Sequence, residues 1–314
     1  MPSMPKFARF SAMTGGVMWA LALFYRTGDS AETELIQKVF LFGVLVIVPL
    51  GISLIGSNQE WIALKIATLI QPFAAVLCLI AFVLPQGIPA TILASIWLVT
   101  VSFIGLAGLL RVVFSKQKLT LELAVSAGMM YLPIGGAWFV ASRLGFQPLG
   151  FGDTIVLLTA VHFHFAGFAA PLLAGLAGRR LPDSRTLAIA AVTVVLGTPL
   201  VAAGITLSPR LALVGALTVA FGLVLLGWEV ISKVVPQLQV RIAQVLLAIA
   251  SLSSLVAMVL AILYAYSIVT RTVILDIPQM AMTHGLLNSF GFSFCGLLAW
   301  AIQSSSTERT ISTK

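Results

Sequence analysis

The chain holds three histidines, His162, His164 and His284. Imidazole titrates near neutrality, so it suits proton transfer at physiological pH. His162 and His164 lie in Val161-His162-Phe163-His164-Phe165-Ala166-Gly167-Phe168, and His284 in Met282-Thr283-His284-Gly285-Leu286-Leu287-Asn288. Both segments sit inside apolar runs, where an ionisable side chain is costly and marks function by default. On a helix, His284, Asn288, Gly291 and Cys295 share one face. Gly291 on that face admits a close neighbouring helix. His164, Gly167 and Pro171 share another face, with His162 about 200° away from His164 if the helix is regular. One of the pair then lines a site, and the other donates to a neighbouring carbonyl or hydroxyl. Pro171 removes the hydrogen bond to the Gly167 carbonyl and favours a bend.

Three readings of these side chains stand side by side. In the first, His162, His164, His284 and Asn288 are catalytic, with imidazole as acid or base and Asn288 orienting a substrate or a water. In the second they bind haem or a transition metal, since neutral imidazole suits Zn, Cu and Fe. His-x-His does not converge on a helix as four-residue spacing does, and no nearby carboxylate completes a ligand set, so no cofactor is expected. In the third, each histidine only hydrogen-bonds a neighbouring helix.

Five further residues are candidates for substrate binding: Tyr131, Thr283, Asp276, Gln279 and Glu229. Tyr131, Pro133, Gly135 and Gly136 make their span irregular, which opens room for a ligand or allows tight packing. Asp276 precedes the last helix and either caps it or orients His284. Glu229 stands four residues before Lys233, the spacing of a helical ion pair.

The elements that position these groups must be membrane helices. Sixty per cent of the 314 residues are apolar and 9% are charged, against about 25% charged in a soluble domain. Too few ionisable side chains exist to cover an aqueous surface, so the lipid bilayer is the expected solvent. Uncharged runs occupy 10–25, 39–59, 66–110, 123–142, 154–178, 186–209, 211–228, 242–270 and 277–307. The long run 66–110 is broken by Pro85-Gln86-Gly87-Ile88-Pro89, a turn signal. The expectation is an all-α, polytopic bundle of about ten spans near 10–25, 39–59, 63–84, 88–110, 122–142, 154–177, 187–207, 211–230, 242–268 and 279–302. These form one domain over 1–302, followed by a short cytoplasmic tail, 303–314. The first run is short for a span, and Leu21-Ala22-Leu23-Phe24-Tyr25-Arg26 is a poor cleavage site, so it is expected to stay rather than leave as a signal peptide.

Charge sets the orientation. Net charge is +8. With the N-terminus in the cytoplasm, Arg26, Lys38, Arg143, Arg210 and Arg271 fall outside and every other basic residue inside, which places both termini in the cytoplasm. The basic excess is then a topology signal, and no nucleic acid is expected as a partner. The histidines fall in the outer half of the bilayer: His162 and His164 about 12–15 Å deep, His284 about 9 Å and Asn288 about 15 Å. All acidic residues fall at span ends or in loops. Cys78 and Cys295 read as small buried residues outside any metal or redox spacing.

The segment His162-Phe163-His164-Phe165-Ala166-Gly167-Phe168, with Pro171-Leu172-Leu173-Ala174-Gly175 after it, resembles the paired-histidine segment of the YndJ-like bacterial membrane proteins. Thr283-His284-Gly285-Leu286-Leu287-Asn288-Ser289-Phe290-Gly291-Phe292 resembles their C-terminal segment, and Pro49-Leu50-Gly51 also fits. The resemblance implies a multi-pass protein of the bacterial cytoplasmic (inner) membrane and pairs the two motifs; it supplies no reaction. Some members carry a soluble C-terminal domain, and this chain is expected to lack one.

Two functions compete on these residues. One is a membrane-embedded enzyme of isomerase or cyclase type acting on a lipophilic small molecule, isoprenoid-like in kind. Few polar groups suffice for such a site, and the absence of a glycine-rich phosphate loop argues against diphosphate substrates. The other is a multi-pass transporter, which ten spans would suit. The lack of a midplane carboxylate and of a visible internal repeat counts against it.

Overall fold

The computed structural model describes residues 3–56, 61–114 and 120–312, with backbone alone at 120 and 307–312. The charges at Glu60, Lys116, Lys118 and Lys314, and the side chains of Glu308 and Arg309, lie outside the described residues. Helices and short turns make up everything described, with no strand among those residues. The all-α polytopic expectation is met.

Nine helices among the described residues are long and apolar enough to cross a membrane. They are α2 (Ala31–Ile55), α3 (Ile62–Val83), α4 (Ile88–Phe114), α5 (Leu121–Leu144), α6 (Asp153–Gly178), α7 (Arg185–Leu207), α8 (Pro209–Gln237), α9 (Arg241–Thr270) and α10 (Ile277–Ser306). The first run of the sequence forms α1 (Met4–Ala22), which is not among the nine. Lys6, Arg9, Thr14, Gly15 and Gly16 dilute its apolar character, so the tenth expected span is a helix without a full membrane signature. The prolines at 85 and 89 act as expected: α3 ends at Val83 and α4 begins at Ile88. The last helix continues to Ser312, so residues 303–312, expected as a tail, are helical.

Many large apolar side chains stand exposed on these helices, Phe73 at 64% and Leu196 at 61% among them. A soluble protein rarely leaves such apolar area bare; here it meets lipid.

The helices cluster into two compact units. The first holds α1 to α4, residues 126–144 of α5 and the part of α6 up to Ala169. In it α1 packs along the second half of α2, where Gly15 sits against the Leu45 backbone. Phe40, Phe82, Trp97, Phe139 and His164 form its buried centre. The second holds the start of α5, the rest of α6, and α7 to α10. Its α7 and α8 form a hairpin closed by glycines: Gly204 meets the Ala212 backbone, and Gly215 meets the Leu200–Val201 backbone. Gln303, 1% exposed, accepts from the backbone N–H groups of Gln239 and Val240, holding the α8–α9 connection.

Four of the helices carry π-wound stretches: Gly43–Ile47 in α2, Phe163–Ala169 in α6, Val230–Val234 in α8, and Ala281–Gly285 with Leu287–Phe294 in α10. A π turn adds a residue to the helical loop and is found frequently at functional sites. His164, His284 and Asn288 lie within such stretches, and His162 is the last residue before one.

Candidate functional site

His164 is fully buried in the first unit. Trp97, on α4, donates its indole N–H to Nε2 of His164 at 3.0 Å. An indole nitrogen can only donate. Nε2 therefore accepts, and the ring proton sits on Nδ1, 2.7 Å from the Ala160 carbonyl oxygen that receives it. Both nitrogens are engaged, and the tautomer follows from this network. Aromatic rings enclose the imidazole: Phe40 meets it edge-on at 5.0 Å, and Trp97 stacks at 5.8 Å. Phe139 stacks on Phe40 in turn.

Gly135 makes room for this ring. A Cβ there would lie 2.8 Å from Nδ1 of His164 and 2.9 Å from Cβ of Phe163. Gly136 closes on Val101 and Leu98, and Pro133 packs against Gly105. Of the two sequence readings of this segment, the geometry displays tight packing, and α5 runs through it as an unbroken α-helix. Tyr131 is half-buried, its ring 6.1 Å from Phe163, and its Cβ flanks Gly167.

His162 differs from His164 in surroundings, as the two-residue offset requires. It is exposed, and its Nδ1 lies 2.7 Å from the Leu158 carbonyl oxygen. Both members of the pair thus donate to the carbonyl four residues earlier, where the spacing alone implied only one. The π-wound stretch ends two residues before Pro171.

His284, Asn288 and Gly291 belong to the second unit. His284 donates from Nδ1 to the Ala257 carbonyl of α9 at 2.9 Å. The Asn288 side-chain amide lies 3.1 Å from Nε2 of His284. The same amide nitrogen lies 3.3 Å from Nδ1, so it sits over the ring; the Ala257 carbonyl, which can only accept, places the ring proton on Nδ1, the same tautomer as His164. Unlike His164, the pair is only half-buried. The shared face is real for His284 and Asn288, and Gly291 meets Ser253 of α9 at a separation too close for a side chain.

The remaining candidates take up local partners. Asp276 and Gln279 form a reciprocal capping box at the start of α10, so Asp276 caps the helix. Thr283 donates to the Gln279 carbonyl at 2.6 Å. Glu229, 2% exposed, pairs with Lys233 at 2.8 Å and accepts from Ser184 at 3.1 Å. No three His, Cys, Asp or Glu side chains among the described residues are grouped so as to hold a metal ion.

Trp97 escaped the sequence reading. A signal existed: a tryptophan inside an apolar run must find an acceptor for its N–H, and uncharged acceptors there are few. The π windings left no sequence signal that spacing could expose.

The YndJ-like protein family matches residues 38–292. The chain is also 31% identical over 233 residues to a Bacillus subtilis (strain 168) protein named uncharacterized membrane protein YndJ, a match that covers 74% of this chain and 41% of that relative. No solved structure matches. The chain belongs to the YndJ-like family, and the match spans about two fifths of the length of that curated relative.

Proposed function

We propose that the protein is a membrane-embedded enzyme that moves a proton on a lipophilic, isoprenoid-like small molecule, in an isomerisation or a cyclisation. His284 is the acid–base group, and the Asn288 amide covers its ring. An isomerisation of this kind takes a proton from one carbon and returns one to another, so it needs no oxidant or reductant.

The observation that carries the reading is the His284–Asn288 pair. The Asn288 amide lies over the His284 ring, 3.1 Å from Nε2 and 3.3 Å from Nδ1, on a half-buried, π-wound surface. A substrate can displace an amide there. Nε2 of His164 is sealed under an indole in an aromatic cage, where no such exchange is open. The Nδ1 edge of the His284 ring is fixed by the Ala257 carbonyl, the arrangement that orients a catalytic imidazole.

The topology belongs to the same proposal. It has the single membrane domain 1–302 with α1 as a tenth crossing, both termini in the cytoplasm, the histidines in the outer half, and the bacterial inner membrane as location. One observation favours a carrier as second reading: π-wound stretches interrupt regular winding in α6 and α10, and carriers build sites where helices are interrupted.

Mass spectrometry of lipid extracts from cells making the wild type or His284→Ala tests the choice. A compound converted to a new mass or a new isomer by the wild type alone supports the enzyme and identifies its substrate class. Identical extracts overturn it and leave the carrier, for which flux under a pH gradient is the measurement.

A further inference from the structure

We infer that the second unit carries a phosphate-binding cleft, built from the α6–α7 loop, the start of α7 and the end of α8. The cleft has a volume of about 400 Å³ and is lined by residues 180–186 with Glu229 and Lys233. Three cations, Arg180, Arg185 and Lys233, face two carboxylates, Asp183 and Glu229.

Lys233 and Glu229 offset each other, which leaves Arg180 and Arg185 as the cations for an anion. Glu229 is neutralised by Lys233 and by the Ser184 hydroxyl, and Asp183 is exposed. Arg179, next in the chain, is different: Glu122 clamps it through two contacts of 2.6 and 3.1 Å. Among the described residues Arg180 has no such carboxylate, and it lies over the Trp300 ring at 6.0 Å, which orients its guanidinium. Arg185 is exposed. A guanidinium fork matches a phosphate group in two-point geometry.

The helix end adds donors to these side chains. Ser184 caps α7 by accepting from the Leu187 N–H at 3.2 Å. Arg185 and Thr186 precede Leu187 in the first turn, where backbone N–H groups have no partner inside the helix and the helix dipole favours an anion. Both line the cleft.

A basic pocket between membrane helices near a bilayer surface suits the phosphate of an anionic lipid headgroup, and a free phosphate ester presents the same chemistry. The cleft is independent of the histidines, so the enzyme reading and this one fail separately.

Thermal melting of the full chain in neutral detergent tests the proposal at constant ionic strength. The probes are inorganic phosphate, dioctanoyl phosphatidylglycerol, and dioctanoylglycerol, which has the same chains without the phosphate. A ligand of the folded state raises Tm. The wild type is expected to melt higher with at least one phosphate probe and not with dioctanoylglycerol. Half-saturation should weaken at least tenfold in Arg185→Gln, recover in part in Arg185→Lys, and stay unchanged in Arg210→Gln. A response to inorganic phosphate points to a free anion, and a response to the lipid alone points to a headgroup. No rise with either phosphate probe overturns the proposal. So does an equal rise with dioctanoylglycerol, or an undiminished response in Arg185→Gln, whose exposed side chain can be replaced without unfolding the protein.

Discussion

Trp97 and His164 join α4 to α6 through one hydrogen bond of 3.0 Å between ring nitrogens, inside a core with no exposure at either residue. This bond sets the tautomer of His164 and ties two helices that are far apart in the chain. Trp97→Phe keeps most of the ring volume and removes the only donor to Nε2 among the described residues. A buried acceptor left without a partner costs about 1–3 kcal/mol. Melting of the purified variant should fall accordingly, while His164→Phe in the Trp97→Phe background should recover part of the loss. An unchanged Tm in Trp97→Phe would contradict the assignment.

Gly135 and His164 occupy one space. Gly135→Ala places a methyl group 2.8 Å from Nδ1 and 2.9 Å from Cε1 of the ring, and overpacking of this kind costs about 1–3 kcal/mol. Tm should drop. A neutral result would mean that the ring can move, and with it the hydrogen bond to Trp97.

Adjacent glycines in α1 should behave oppositely. At Gly15 an added Cβ would collide with the Leu45 backbone, whereas at Gly16 the nearest atom is Cγ2 of Val46 at 4.0 Å. Gly15→Ala is expected to loosen α1 from α2, read as faster proteolysis at the N-terminus. Gly16→Ala should be neutral or stabilise by about 0.4–1 kcal/mol. Equal behaviour of the two variants would show that α1 does not pack on α2.

Glu229 and Lys233 form a half-exposed pair around a buried carboxylate. The Lys233 side chain is 53% exposed and that of Glu229 2%, so solvent screens only one partner. Lys233→Met leaves a buried carboxylate with Ser184 alone, and should cost more than Glu229→Gln combined with Lys233→Met. Thermal melting of the two variants gives the order, and the reverse order would place the stabilisation in the lysine stem.

Asn288 decides whether His284 is poised or merely packed. Asn288→Leu removes the amide over the His284 ring and leaves the bond to Ala257 intact. On the enzyme reading, product formation should fall by at least about tenfold, within the range for a lost positioning contact, with unchanged Tm. Full activity in that variant would remove Asn288 from the site.

Much of the architecture could be read from charge placement alone. Charged residues bound every uncharged run, and lipid tolerates few of them, so most helix limits fall within a few residues of those expected, while α2 begins at Ala31 and not at 39, and α8 runs on to Gln237 and not to 230. Pro85, Gly87 and Pro89 located the α3–α4 turn, because proline and glycine act through the local backbone. The weak first run is matched by an α1 that lacks a full membrane signature. The pairing of Glu229 with Lys233, and the cap at Asp276, were legible because both are made within four residues on one helix.

The roles of the histidines were not legible, since they depend on groups remote in the chain. Trp97 is 67 residues from His164, and Ala257 is 27 from His284. Sequence spacing set which residues share a helix face, but it assumed regular winding, and the π stretches at both motifs alter it. Gly135 could serve a ligand or tight packing in the sequence and became a contact, because a missing side chain gives room to whichever neighbour arrives. Sequence by itself determined the helices, since their cost in lipid is local to each segment. Only the tertiary structure decided which nitrogen of each imidazole carries the proton, because that is set by the donors and acceptors the packed helices bring to it.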